Sequence, residues 1–223
     1  MSGYSFLSRV FRKISFSPLF AFFRRKRLTN TDFSIISNNC WGGVVYEWFN
    51  LEKKSPTVGC YFFAEDYIRF ASNLKYYLSQ ELQFISATES KYADILKKIK
   101  QLNVPVGLLG DVEVVFLHYR NPEVAKEKWE RRVKRINWEN IILKFSYASN
   151  CSDELIEKFE MIGGVKRILL SGKSFPQYID CCVIPGEPSG NITNDTFYIN
   201  RHVNLIKLIN SPQNQVLTKS IQR

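Results

Sequence analysis

The chain reads as an α/β protein of three layers, helix–sheet–helix, around a mixed central sheet. Three observations predict this. Past residue 30, short apolar runs rich in β-branched and aromatic residues alternate with longer segments of helical periodicity. The 223 residues, 45% hydrophobic and 14% aromatic, suffice for a sizeable core and argue against disorder. No internal repeat or low-complexity linker divides the chain. A single domain is therefore expected over residues 31–210, between a basic N-terminal segment (1–30) and a weakly ordered tail (211–223).

The elements follow in order. Strands are expected at 33–37, 57–63, 82–85, 112–119, 141–147, 167–171 and 179–184, with a short further one at 197–200. Helices are expected directly after Cys40 and then at 65–79, 90–100, 122–136, 152–161 and 202–210. The helix at 122–136 is the best specified. Asn121 caps it, Pro122 starts it, and Ala125, Trp129, Val133 and Ile136 fall on one buried face. Glu127 with Arg131, and Glu130 with Lys134, add weak i,i+4 pairs. Residues 185–196, rich in Pro, Gly, Asn and Thr, form a turn-rich loop and a candidate flap.

Charge is unevenly distributed. The formal net charge is +10, and residues 1–27 contribute seven basic side chains and no acid. Phe6, Val10, Phe11 and Ile14 share a helical face flanked by Arg9, Arg12 and Lys13, and Pro18 splits the segment into two short pieces. A basic segment rich in phenylalanine has the composition of an anchor on an anionic membrane surface. The competing reading is a helix whose phenylalanines dock onto the domain. A signal peptide is disfavoured by the short apolar core and the Arg-Arg-Lys-Arg that follows. No specific nucleic-acid partner is expected, because no basic stripe continues through the chain. No run of 18 apolar residues suggests a membrane span.

Five cysteines, an odd number with no CxxC spacing, suggest reduced thiols in a cytoplasmic protein and neither a zinc site nor a disulfide framework. The sequence leaves any cofactor unidentified. One cysteine stands out. The segment Ile35 to Gly43 reads as strand, tight turn, helix, with Cys40 just before the first helical turn. A thiol at a helix N-terminus titrates lower and attacks better. Gly42 and Gly43 would clear the approach to its sulfur, and Asn38, Asn39 and Trp41 would line it. His118 closes an apolar strand just before the Asn121-Pro122 helix start. Strand ends are where α/β folds build their sites, so Cys40 and His118 are candidates for a nucleophile and its base. The group orienting the base is left open among Asp111, Glu113, Asp153 and Asn150, with Asp111 carried forward as the catalytic candidate. Backbone N–H groups around Cys40 and Trp41 would hold an oxyanion. Trp41, Tyr46 and Tyr119 could offer flat aromatic faces to a substrate ring. Arg132 and Arg135 are assigned an anion partner, either a structural carboxylate or a substrate phosphate.

An ordered set of motifs carries a resemblance. It runs from Ser37-Asn38-Asn39-Cys40-Trp41-Gly42-Gly43 through Ser55-Pro56-Thr57-Val58-Gly59 and Phe63-Ala64-Glu65-Asp66-Tyr67 to Pro105-Val106-Gly107-Leu108-Leu109-Gly110-Asp111. Phe116-Leu117-His118-Tyr119, Lys128-Trp129-Glu130-Arg131-Arg132 and Arg135-Ile136-Asn137 complete it. In that order the chain, from about Phe33 to about Ser171, resembles the bacterial domain-of-unknown-function family 1919. Members are commonly labelled exopolysaccharide or cell-surface polysaccharide biosynthesis proteins. The resemblance implies a three-layer α/β fold and a surface-glycan context, and leaves the basic N-terminal segment outside the shared region. The order of Ser, Cys, Ser-Pro, His and Arg-Arg-x-x-Arg-Ile is also similar to papain-like cysteine peptidases. That likeness assigns Cys40 as nucleophile and His118 as base and matches no third residue.

The expected function is an enzyme of bacterial surface-polysaccharide assembly, cytoplasmic and at the inner face of the membrane, with a sugar or glycan substrate. Its chemistry would be acyl-type transfer or hydrolysis through a Cys40 thioester, with His118 as general base and then acid. One rival is a glycosyl- or phosphosugar transferase using Asp111, Glu113, Arg132 and Arg135. The other is a non-catalytic, membrane-docked accessory protein.

Overall fold

The computed structural model describes residues 13–147, 151–178, 181–184, 189–192, 195–199 and 201–212. The expected apolar face at Phe6, Val10 and Phe11, the candidate Asn150, half of the 185–196 loop and the tail past residue 212 lie outside the described residues.

The strands divide into two sheets. Four parallel strands, β1 (Ser34–Ser37), β5 (Ile141–Ser146), β6 (Lys166–Ser171) and β7 (Cys181–Val183), stand side by side in the order β1-β5-β6-β7. Three antiparallel strands, β2 (Gln83–Ile85), β3 (Val106–Leu109) and β4 (Val112–Val115), form a hairpin-based sheet in sequence order. The mixed pairing read from the sequence is thus realised as one parallel and one antiparallel sheet. Parallel strands buried on both faces read as unbroken apolar runs, as β1, β5 and β6 do.

Alternation along the parallel strands feeds two cores. Ile36, Leu143, Phe145 and Leu169 face one core, shared with helices α3 (Ala64–Ser72), α6 (Pro122–Val133) and α7 (Asp153–Glu160). Ile35, Ile142, Ile168 and Leu170 face the other, shared with α2 (Trp41–Trp48) and α8 (Leu205–Asn210). That is the three-layer arrangement. A short helix, α5 (Ala93–Lys98), covers the antiparallel sheet through Leu96, Val106 and Val115. Helix α1 (Pro18–Arg25) lies against the outer side of the second core.

Several expected elements are corrected. Residues 57–63 form a turn, because Gly59 sits at φ +81°; only Tyr61 pairs, in an isolated bridge to Val115. The strand expected to reach residue 119 ends at Val115, freeing His118 to enter a turn. The helix expected at 65–79 breaks at Asn73 into α3 and α4 (Leu74–Ser79). Residues Asp195–Tyr198 form a 3-10 turn, not the strand expected at 197–200. Strand β3 was not anticipated. Its glycine, Gly107, packs so close to Leu82 and Phe116 that a Cβ would lie 2.6 and 2.7 Å from them.

Candidate functional site

Two elements from different sheets meet at the site. Strand β1 ends at Ser37, and Asn38-Asn39-Cys40 turn the chain into α2, with Cys40 as the N-cap residue. Asn38 ties this turn down from both ends of its amide: Oδ1 accepts from Ser146 N at 3.0 Å and Nδ2 donates to Ser146 O at 3.2 Å. From the other side, β4 delivers His118, whose backbone N–H donates to Gly59 O at 3.3 Å. The outcome is a contact of 3.1 Å between Cys40 Sγ and His118 Nε2. Cys40 is half-buried and His118 is exposed.

The pair opens into a cleft of about 360 Å³ whose walls include Gly43, Glu47, Lys53, Val58, Tyr119, Lys128 and Arg132. Tyr119 Oη donates to Val58 O at 2.6 Å and accepts from Arg132 Nη1 at 2.5 Å; Arg132 also donates to Val58 O at 3.1 Å. Lys53 is paired with Glu47 at 2.8 Å, and Lys128 lies 5.6 Å from the Tyr119 ring centre. Three cations against one carboxylate leave the cleft positive.

Behind the cysteine lies a buried polar network that sequence reasoning missed. Lys144, fully buried on β5, forms an ion pair with Asp195 and donates to Asn39 Oδ1 at 2.8 Å. Asp195 also accepts from Ser146 Oγ at 2.6 Å and from Asn39 Nδ2 at 2.8 Å. Burial alone would raise the Asp195 carboxyl, but the Lys144 charge and these hydrogen bonds hold it below the usual carboxylate range. The available signal was Lys144 itself, a charge in the apolar run Ile141–Ser146, since a buried ammonium requires a partner.

The thiol does not titrate as the helix-terminus argument predicts. Burial pushes Cys40 up to about 11; Asp195 adds to this, Lys144 opposes it and Glu47 adds a little more. Desolvation and carboxylate charge outweigh a helix of eight residues. Cys40 therefore rests as a thiol.

The other candidates are placed as follows. Asp111 does not reach His118. It sits at the far end of β4, where its carboxylate accepts from Arg69 at 2.5 Å and Tyr77 Oη at 2.9 Å. Glu113 is buried and accepts from Ser90 Oγ and Lys91 N. Asp153 takes a salt bridge from Lys173 at 2.9 Å. Arg135 pairs with Glu52 at 2.9 Å, the structural-carboxylate alternative, whereas Arg132 lines the cleft. Trp41 and Tyr46 are core residues and offer no face to a sugar; Tyr46 Oη is spent on Ile35 N and Phe33 O. Gly42 and Gly43 serve packing: a Cβ on either would lie 3.0 Å from Ile35 or Val58. Trp41 N–H donates to Asn39 Oδ1 and is not available to an oxyanion. Among the described residues no group of three or more His, Cys, Asp or Glu side chains is placed to hold a metal ion.

The fold and cleft define an α/β protein with a cysteine–histidine pair at the carboxyl edge of a parallel sheet. The chain belongs to the family described as a domain of unknown function, DUF1919, whose model matches residues 11–211. The match reaches beyond the 33–171 stretch read from motifs, and so takes in both α1 and Asp195. An uncharacterized protein of Haemophilus influenzae is 28% identical over 173 residues, 78% of each chain.

Proposed function

We propose that the chain is a cysteine-dependent acyl transferase or hydrolase of bacterial surface-polysaccharide assembly, working in the cytoplasm on a sugar or glycan substrate. The observation that carries the chemistry is the 3.1 Å contact between Cys40 Sγ and His118 Nε2 at the mouth of a positive cleft. The surface-glycan context rests on the resemblance stated from the motifs.

In this reading His118 Nε2 takes the thiol proton as Sγ attacks the acyl carbonyl carbon. The tetrahedral oxygen is received by the backbone N–H groups of Cys40 and Gly43, which donate to no described acceptor. Collapse expels the first alcohol or amine, which takes the proton from the imidazolium and leaves a Cys40 thioester. Water or a sugar hydroxyl, deprotonated by His118, then attacks the thioester and releases the thiol. Lys128 and Arg132 receive an anionic part of the substrate.

Alkylation by iodoacetamide, followed residue by residue with mass spectrometry, tests the pair. A thiol held at about 11 would be thiolate in only roughly one molecule in ten thousand at pH 7. Rapid neutral labelling of Cys40 that His118→Ala abolishes is the expected result. Cys151, also half-buried and pushed up to about 12, is an internal control. Labelling of Cys40 no faster than of Cys151, unchanged by His118→Ala, would overturn the reading and leave an accessory role.

A further inference from the structure

Helix α1 is built the wrong way round for a helix that belongs to a core. Ala21 is its only fully buried residue, while Leu19, Phe20, Phe22 and Phe23 are 64, 51, 43 and 58% exposed. At 100° per residue these four side chains span the arc opposite Ala21. Phenylalanines docked onto the domain, the competing expectation, are thus not what α1 shows.

The helix is nonetheless firmly seated. The Arg24 guanidinium stacks 3.6 Å over the Trp48 ring, Phe16 packs edge-on to the same ring at 5.1 Å, and Arg25 donates to Asn50 O at 2.7 Å. Just beyond the helix, Asn210 Nδ2 donates to Arg27 O at 2.9 Å. A fixed helix that holds three phenylalanines in water has an unfilled contact.

Charge identifies the occupant. Lys26 Nζ lies 4.7 Å over the Phe22 ring and exposed Arg27 follows it, and among the described residues neither pairs with a carboxylate. Residues 1–27 contain no acid to oppose them. Exposed apolar rings beside cations that lack a carboxylate partner match the boundary between headgroups and acyl chains of an anionic leaflet. We infer that α1 is a docking face for an anionic lipid bilayer, with the rings of Phe20, Phe22 and Phe23 inserted and the cations over the headgroups. Among the described residues no helix is long and apolar enough to cross a membrane, so the attachment is peripheral. The inference stands apart from the chemistry at Cys40.

Vesicle flotation of the full chain tests it, using phosphatidylcholine vesicles with and without phosphatidylglycerol. The expected result is capture by the anionic vesicles alone, weakened by high salt. The exposed pair Phe20→Ser/Phe23→Ser and, separately, Lys26→Glu/Arg27→Glu should each lower partitioning by about tenfold or more. Unchanged alkylation of Cys40 in those variants would show that the fold is intact. Capture that ignores lipid charge, capture that survives both pairs of substitutions, or a salt-independent dimer with no vesicle binding would each overturn it.

Discussion

Cys40 rests as a thiol, and this sets how its reactivity must depend on pH. On the proposed chemistry His118→Ala takes the base away from the sulfur, so only the thiolate fraction can react. The alkylation rate of Cys40 should then climb about tenfold per pH unit across the neutral to alkaline range, as for any thiol well below its pKa. In the wild type the profile should be much flatter near neutrality, because the imidazole supplies the base; stopped-flow alkylation at several pH values distinguishes the two. Cys40 and His118 were legible from sequence because each ends an apolar run beside turn residues. The error in the expected direction of the thiol pKa has a physical origin: the helix terminus is visible in sequence, whereas burial and the approach of Asp195 are tertiary facts. Asp111 misled for the same reason, since a carboxylate seven residues from His118 along an extended segment lies far from it in space.

At the scale of elements, turns decide what reaches the site. Gly59 is at φ +81°, and a Cβ there would lie 3.0 Å from Tyr119 Cε2 and 3.5 Å from His118 Cβ. Gly59→Ala should therefore cost about 1–3 kcal/mol in left-handed backbone and crowding, and should slow Cys40 alkylation by displacing His118. Urea denaturation and the same labelling assay measure both effects; normal stability and normal labelling would show that the turn has no positioning role. Strands β1, β5 and β6 and helix α6 were legible because burial on both faces and clean capping leave strong local patterns. Asn121 accepts from Val124 N at 2.9 Å, as its place before Pro122 suggests. The 57–63 turn and β3 were not, because a glycine reads alike whether it permits a left-handed turn or a close sheet contact.

For the molecule as a whole, the Lys144–Asp195 pair joins the central strand β5 to a segment 51 residues later. Removing one partner leaves a buried charge, so Lys144→Met and Asp195→Leu should each destabilise by about 3–5 kcal/mol, and the double variant by much less than the sum. A double-mutant cycle by urea denaturation measures the coupling. The Asp195 carboxyl is lowered in the fold, so its contribution is present above its unfolded value near 3.9 and is lost as pH falls through the lower folded value. Acid titration of stability should show that loss in the wild type and not in the double variant. The same pair bears on the order in which the protein is made. A ribosome releases β1, Cys40, His118 and β5 well before Asp195, and until then Lys144 has no carboxylate to enter the sheet with. The nascent chain thus carries Cys40 beside an unpaired Lys144, and the buried network behind the cleft closes only when Asp195 emerges. A chain cut just before Asp195 should fold around β5 only when Lys144→Met has removed the stranded charge.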